Sequence, residues 1–211
     1  MASNYPSTDG EIEYLVVDHG TPQNILNQIT RQDFQVFPTE PCNRGNKLQQ
    51  GLKRSQGEWV LLHHPRSKVS AGGLELLLEK TKLKPHWGGF THQFDRTHLG
   101  LKWTSLYSNQ IRPRLSSILY LDHCLYFHKQ LLDRPIPDIP IFEDTEISKI
   151  LRRHSRPVIL NHRVTTMAIR FEQNGFWRQA LLNQYLKLRY FMGHSFDEMN
   201  ELYEDKLNLN G

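Results

Sequence analysis

The sequence predicts an α/β protein: a mostly parallel sheet with helices on both faces, followed by a C-terminal amphipathic helix. Three observations lead there. Short apolar runs at Tyr14–Val17, Phe34–Phe37 and Glu58–Leu62 have the length of buried strands. Segments suited to helices alternate with them, at the spacing of right-handed βαβ units. The stretch from Phe176 to about Met192 carries Phe176, Trp177, Ala180, Leu181, Tyr185, Leu188 and Met192 as a broad apolar stripe.

The elements follow in order. Residues 1–10 read as a tail, and the strand Tyr14–Val17 ends at Asp18-His19-Gly20. Pro22 to Thr30 suits a helix, Phe34 to Phe37 a strand, Arg44 to Ser55 a helix and Glu58 to Leu62 a strand. Ser70 to Lys80 is rich in Leu and Glu and reads as a helix, and Trp87 to Phe90 begins a strand. Leu101 to Arg112 has helical periodicity, while Ile118 to His128 alternates like a strand. Ile147, Ile150 and Leu151 fall at helical spacing, with acids before the first turn and Arg152-Arg153 at the last, in agreement with the helix dipole. Pro157 to Asn161 reads as a strand, Val164 to Phe171 as a short β-type run, and 206–211 as a tail. One domain over 11–205 is expected, since 211 residues, 38% of them hydrophobic, can bury one sizeable core.

Composition narrows the function. A net charge of +4 suits an anionic ligand without demanding nucleic acid. Lys80, Lys82, Lys84 and His86 form a basic run beside Trp87, but no aromatic platform or recognition helix accompanies it, so no nucleic-acid partner is expected. Cys42 and Cys124 lack CxxC spacing, which argues against a thiolate zinc site and favours a reducing, cytoplasmic setting. The eleven histidines show no HxxxH or HExxH, and no transition-metal site is expected. No apolar run approaches the roughly 18 residues of a membrane span, and the N-terminus has no leader pattern. The helix 176–192 remains a candidate for contact with a membrane surface or a protein.

In α/β proteins the loops at strand ends open into a ligand crevice. Three such loops stand out: Asp18-His19-Gly20-Thr21, His63-His64-Pro65-Arg66 and the Glu143-Asp144 turn. A carboxylate in the last can take a proton from a hydroxyl, or it can cap the helix, a role worth about 1 kcal/mol.

The same residues carry a resemblance. LVVDHGT, NRGNKLQQGLKRSQGEWVLLHH, WGGFTHQFD, DIPIFEDTEISKILRRHSRPVIL and TTMAIRFEQNGFWRQALLNQYLKLRYFMG occur in that order over about Tyr14 to Tyr203. Together they resemble a family 2 glycosyltransferase of the GT-A fold, a nucleotide-diphospho-sugar transferase, most closely the subgroup associated with arsenosugar biosynthesis. The resemblance implies a nucleotide-sugar donor and a hydroxyl acceptor. Asp18 matches the acid that contacts the donor base, and Arg44 with Gly45 the turn near the nucleotide. Asp144, with Glu143 before it, matches the general base of inverting members. Asp122 matches an acid near the acceptor, and Arg170 a basic residue near the donor phosphates.

The departures are equally specific. The usual first strand, ending in Pro and Asn-Glu, has no counterpart before Tyr14, and Gln23 and Gln49 replace an acid and an Asn. His63 matches the family's His, but Pro65 stands where an Asp would hold Mg²⁺ or Mn²⁺. Arg66 is the candidate substitute, clamping phosphate oxygens bidentately. The expectation is a transferase of weakened or lost activity, or else an inactive binding or scaffold protein of the same fold. A sugar-nucleotide cleft should have Asp144 facing a cavity lined by Asp18 and His63.

Overall fold

The computed structural model describes residues 12–22 and 34–204. Most of the expected helix from Pro22 to Thr30, both tails and Gln23 lie outside these residues. Strands β1 (Tyr14–Asp18) and β2 (Phe34–Pro38) pair in parallel as a separate two-stranded sheet. The main sheet has the order β3-β6-β5-β7-β4, built from β3 (Trp59–Leu61), β4 (Ser67–Lys68), β5 (Trp87–Phe94), β6 (Tyr126–His128) and β7 (Val158–Thr166).

The protein is thus α/β, but this main sheet is mixed rather than mostly parallel. Only β5 and β7 run parallel within it, while β6 is antiparallel to both β3 and β5, and β4 to β7. Instead of one strand over 118–128, a 3-10 turn at Leu121–His123 and Cys124 in the left-handed region (φ 47°) interrupt the segment, and only Tyr126–His128 join the sheet as β6.

Helices cover both faces, and period-two alternation in the strands divides the core between them. Val60, Leu62, Trp87 and Phe127 point to one side. There they meet Leu48 and Leu52 of α1 (Arg44–Arg54) and Ile147 and Leu151 of α5 (Glu143–Leu151). Trp59, Leu61, Phe90, Tyr126, Leu160 and Val164 point to the other, against Leu74 and Leu77 of α2 (Ala71–Thr81). Ser70 accepts from Gly73 N and caps α2, a contact that fixes where the helix begins.

Between β5 and α5 lie α3 (Leu99–Leu106), a π-helical turn (Tyr107–Ile111) and α4 (Arg112–Ser116). The run Val164 to Phe171 does not form a strand of its own. Val164 to Thr166 complete β7, and Ile169–Asn174 turn into a short helix, α6, with Phe171 packed against Phe94 and Phe176. The described residues end with α7 (Phe176–Phe191) and α8 (Phe196–Glu204), which pack on Ile141 and Phe142 through Leu186, Tyr190 and Met199.

The loop before α5 is fastened to the start of α1. Asn43 and Asn46 each donate to a different oxygen of Asp138, at 2.6 and 3.1 Å, and Gly45 N donates to Ile139 O at 3.2 Å. Gln49 accepts from Ile136 N at 2.7 Å and so holds this loop. Gly45 is required by the close approach: a Cβ there would stand 2.2 Å from Pro137 O and 2.8 Å from Ile139 O. Gly45→Ala is therefore expected to destabilise by about 1–3 kcal/mol as the loop is pushed off. Urea unfolding of the variant against the parent checks this.

Candidate functional site

At the N-terminus of α5, Phe142 adopts a left-handed conformation (φ 64°) and leads into a first turn that carries Glu143, Asp144 and Glu146. Glu143 is fully buried and ion-paired with Arg44 Nε. For Arg44, burial works against the charge, but Glu143 outweighs it and holds the guanidinium above its ordinary range. Asp144 turns to the segment 119–121, where its Oδ2 accepts from Leu121 N at 3.1 Å while its Oδ1 accepts from Thr145 N at 2.7 Å. One helical turn later Ser148 accepts from Leu119 N and donates to Leu119 O, so the helix laces this segment down as a strand would. Burial first, and then the Glu143 charge, push the Asp144 carboxyl up to about 7, against Arg44, Leu121 N–H and Arg112.

Asp144 lines a cleft of about 480 Å³. Of the residues singled out from the sequence, Arg44, Arg66, Asp122 and Arg170 share this wall with it. Glu143 and Gly45 lie behind the wall, one pairing Arg44 and the other seating the loop. Asp18 is not among the lining residues, and its carboxylate accepts from Thr21 N and Thr21 Oγ1 within its own turn. From the 63–66 loop the lining residues are His64 and Arg66 rather than His63. The cavity lined by Asp18 and His63 that the sequence suggested is therefore replaced by one lined by His64 and Asp122.

Charge in the cleft is mostly positive: Arg44, Arg66, Arg112, Arg170 and Lys187 against Asp122 and Asp144. Arg170 is buried and pinned from α8, donating to Tyr203 O at 2.7 Å and to Glu204, with its guanidinium 3.8 Å from the Tyr203 ring centre. Its ion pair is thus a buried anchor rather than a surface bridge. Burial alone would raise the Asp122 carboxyl, but His92, His64, His123 and Arg66 together hold it below the usual carboxylate range. His64 itself is pushed down to about 4 by burial, and it accepts from Arg66 N at 3.1 Å.

Several cleft residues have no counterpart in the sequence reading as site residues. Arg112 is buried, and its hydrogen bonds go to Ser108 Oγ, Ile118 O and His123, all neutral groups. Burial holds His123 near 3 and hence neutral. The Arg112 guanidinium lies 3.6 Å over the Tyr120 ring, and Lys187 Nζ stands 6.0 Å from the same ring. Burial, with Arg112 second, brings Lys187 down to about 8. These residues reach the cleft from α4 and α7, so the strand-end loops gave no hint of them.

A hard divalent cation does not fit the donors present. Pro65 is exposed on its turn, and among the described residues no three His, Cys, Asp or Glu side chains are grouped to hold a metal ion. Each Asp144 oxygen accepts one N–H, and Asp122 lies beside imidazoles and the Arg66 guanidinium, a cationic neighbour that disfavours a further cation.

Fold and cleft define an α/β protein with a net-cationic crevice around a carboxyl tuned to neutrality. No protein-family model matches the chain, and no curated protein does either.

Proposed function

We propose that the chain is a glycosyltransferase-like protein of the GT-A type, passing a sugar from a nucleotide-sugar donor to a hydroxyl acceptor at a rate reduced by the missing metal anchor. The observation that carries this reading is the convergence on one cleft of the neutral-range Asp144 carboxyl and five cationic side chains. A general base works best with a pKa near the operating pH. In the reaction the Asp144 carboxylate takes the acceptor proton and the acceptor oxygen bonds to the anomeric carbon. The bond from that carbon to the diphosphate breaks, and its electron pair leaves on the nucleotide. Arg66, with Arg44 and Arg170 behind it, stabilises the departing charge in place of a metal.

A second reading, an inactive binding or scaffold protein of the same fold, is favoured by Asp18, whose oxygens are engaged by Thr21 outside the cleft. Thermal unfolding with a panel of nucleotide-sugars separates the two. A donor at a hundred times its dissociation constant is expected to stabilise the protein by about 2.7 kcal/mol, a rise of about 5–10 °C for a chain of this size. Arg66→Ala should abolish that rise, and Mn²⁺ should leave it unchanged. No rise with any donor leaves the scaffold reading, a rise that survives Arg66→Ala removes Arg66 from the phosphate site, and a rise that needs Mn²⁺ contradicts the donor-set argument.

A further inference from the structure

An amphipathic helix on a globular protein normally turns its apolar side inward. α7 is apolar on its outer side as well. Leu182, Leu186 and Tyr190 pack inward, while Trp177 (76% exposed), Leu181, Tyr185, Leu188 and Phe191 (81% exposed) are left on the surface. α3 buries Leu101 but leaves Leu99 and Trp103 exposed. Among the described residues, every large apolar side chain that is exposed, except Leu83, Val158 and Leu202, lies in 97–118 or 173–194.

The two segments meet. Phe176 sits so tightly on Gly100 that a Cβ there would come within 2.1 Å of its ring, and the His98 ring is 4.7 Å from the Phe176 ring. They also share one charge pattern. Neither segment contains an Asp or Glu, while Lys102, Arg114 and Arg178 are exposed on them. Trp103 and Tyr107 belong both to this face and to the wall of the cleft.

We propose that the face formed by α3 and α7 docks on an anionic lipid surface, its Trp, Tyr, Leu and Phe side chains entering the headgroup region and its basic side chains meeting lipid phosphates. Exposed aromatic and apolar groups interleaved with Lys and Arg, without acids, are the composition of an interfacial helix. A second copy of the chain is the poorer occupant. A two-fold contact would bring the patch carrying Lys102, Arg114 and Arg178 against its own copy, with no carboxylate in either segment to pair them. Where this extends the transferase reading, on which that part rests, the acceptor is a hydroxyl presented at the lipid surface, because the cleft wall and the docking face share Trp103 and Tyr107.

Co-flotation with vesicles tests the docking independently of donor binding, so either proposal can fail alone. The protein is expected to float with vesicles of phosphatidylcholine mixed with phosphatidylglycerol, to remain behind with phosphatidylcholine alone, and to be released by salt. Trp177→Ser combined with Phe191→Ser should weaken the binding by about tenfold or more, since each removes a large apolar group from the interface. Both residues are solvent-exposed, and an unchanged melting curve shows that the fold survives. Absence of flotation, equal flotation with both vesicle types, or sedimentation as a dimer that the double variant dissolves without any vesicle binding would each overturn the proposal.

Discussion

Asp144→Asn is expected to lower the sugar-transfer rate by about 10²–10⁴-fold while leaving donor binding in place, because the amide keeps the volume of the carboxyl but cannot accept the acceptor proton. In the parent, transfer should rise with pH through about 7, as the buried carboxyl ionises, and then level off. The same shift has a thermodynamic sign. Relative to its ordinary value of 3.8, the Asp144 carboxyl is raised in the folded state, so its contribution to stability is complete at low pH and is lost as pH rises through about 7. Glu143 is the second cause of the shift, after burial, and Glu143→Gln should therefore move the rising limb of the rate profile to lower pH. Rate-against-pH measurements on the parent and both variants check the assignment. A parent profile flat from pH 5 to 9 would remove Asp144 from the chemistry.

Arg44→Met is expected to cost about 3–5 kcal/mol of folding stability, the penalty for leaving a buried charge without its partner. Glu143 has no exposed surface and its partner is Arg44, so the variant must either ionise it unpaired or protonate it. For a chain of this length the melting temperature should fall by about 6–20 °C. Arg44→Met combined with Glu143→Met should recover much of the loss, since two apolar side chains of similar reach replace the pair without a stranded charge. Calorimetry of the single and double variants gives the coupling directly. If the single variant melts with the parent, the pair does not hold the N-terminus of α5 in place.

Much of this architecture was legible in the residues, and the exceptions have physical causes. α1 and α2 lie where the strand–helix alternation and the Leu- and Glu-rich run put them, and Asn43 and Ser70 cap their first turns. α5 was readable from its apolar spacing and its charge order. β6 was not, because a 3-10 turn and a left-handed cysteine interrupt what reads as one alternating run. β7 was read as ending at Asn161, with His162 and Arg163 left between two runs; the strand continues through a register shift at Phe90 and Thr91 of β5. Ile169 and Phe171 alternate like a strand, yet aromatic packing around Phe171 carries them as a helix. α8 went unread, and with it the buried anchor that Tyr203 and Glu204 provide for Arg170.

In the cleft, Arg44, Asp122, Asp144 and Arg170 were found through motifs that keep their order along the chain. Arg112 and Lys187 come from segments where no spacing marks them, and only the packing of α4 and α7 brings them to Tyr120. The stripe on α7 was visible as apolar, but its direction is a tertiary property. Which side of a helix meets the core depends on the surface it lands on, and here that surface takes up Leu182, Leu186 and Tyr190 and leaves Trp177, Leu181 and Phe191 outside.

The Asp144 carboxyl answers to two demands at once. Its Oδ2 oxygen is the acceptor that keeps Leu121 N–H out of want, and the Ser148 hydroxyl does the same for Leu119 a turn away. Reactivity and architecture therefore share a functional group. A substitution that retunes the proton affinity also slackens the stitching of the chain on which Tyr120 and Asp122 ride, so this position is closed to gradual adjustment. Adaptation towards faster or slower turnover has to come from neighbours such as Glu143, which reach the carboxyl through space and leave its backbone partners alone.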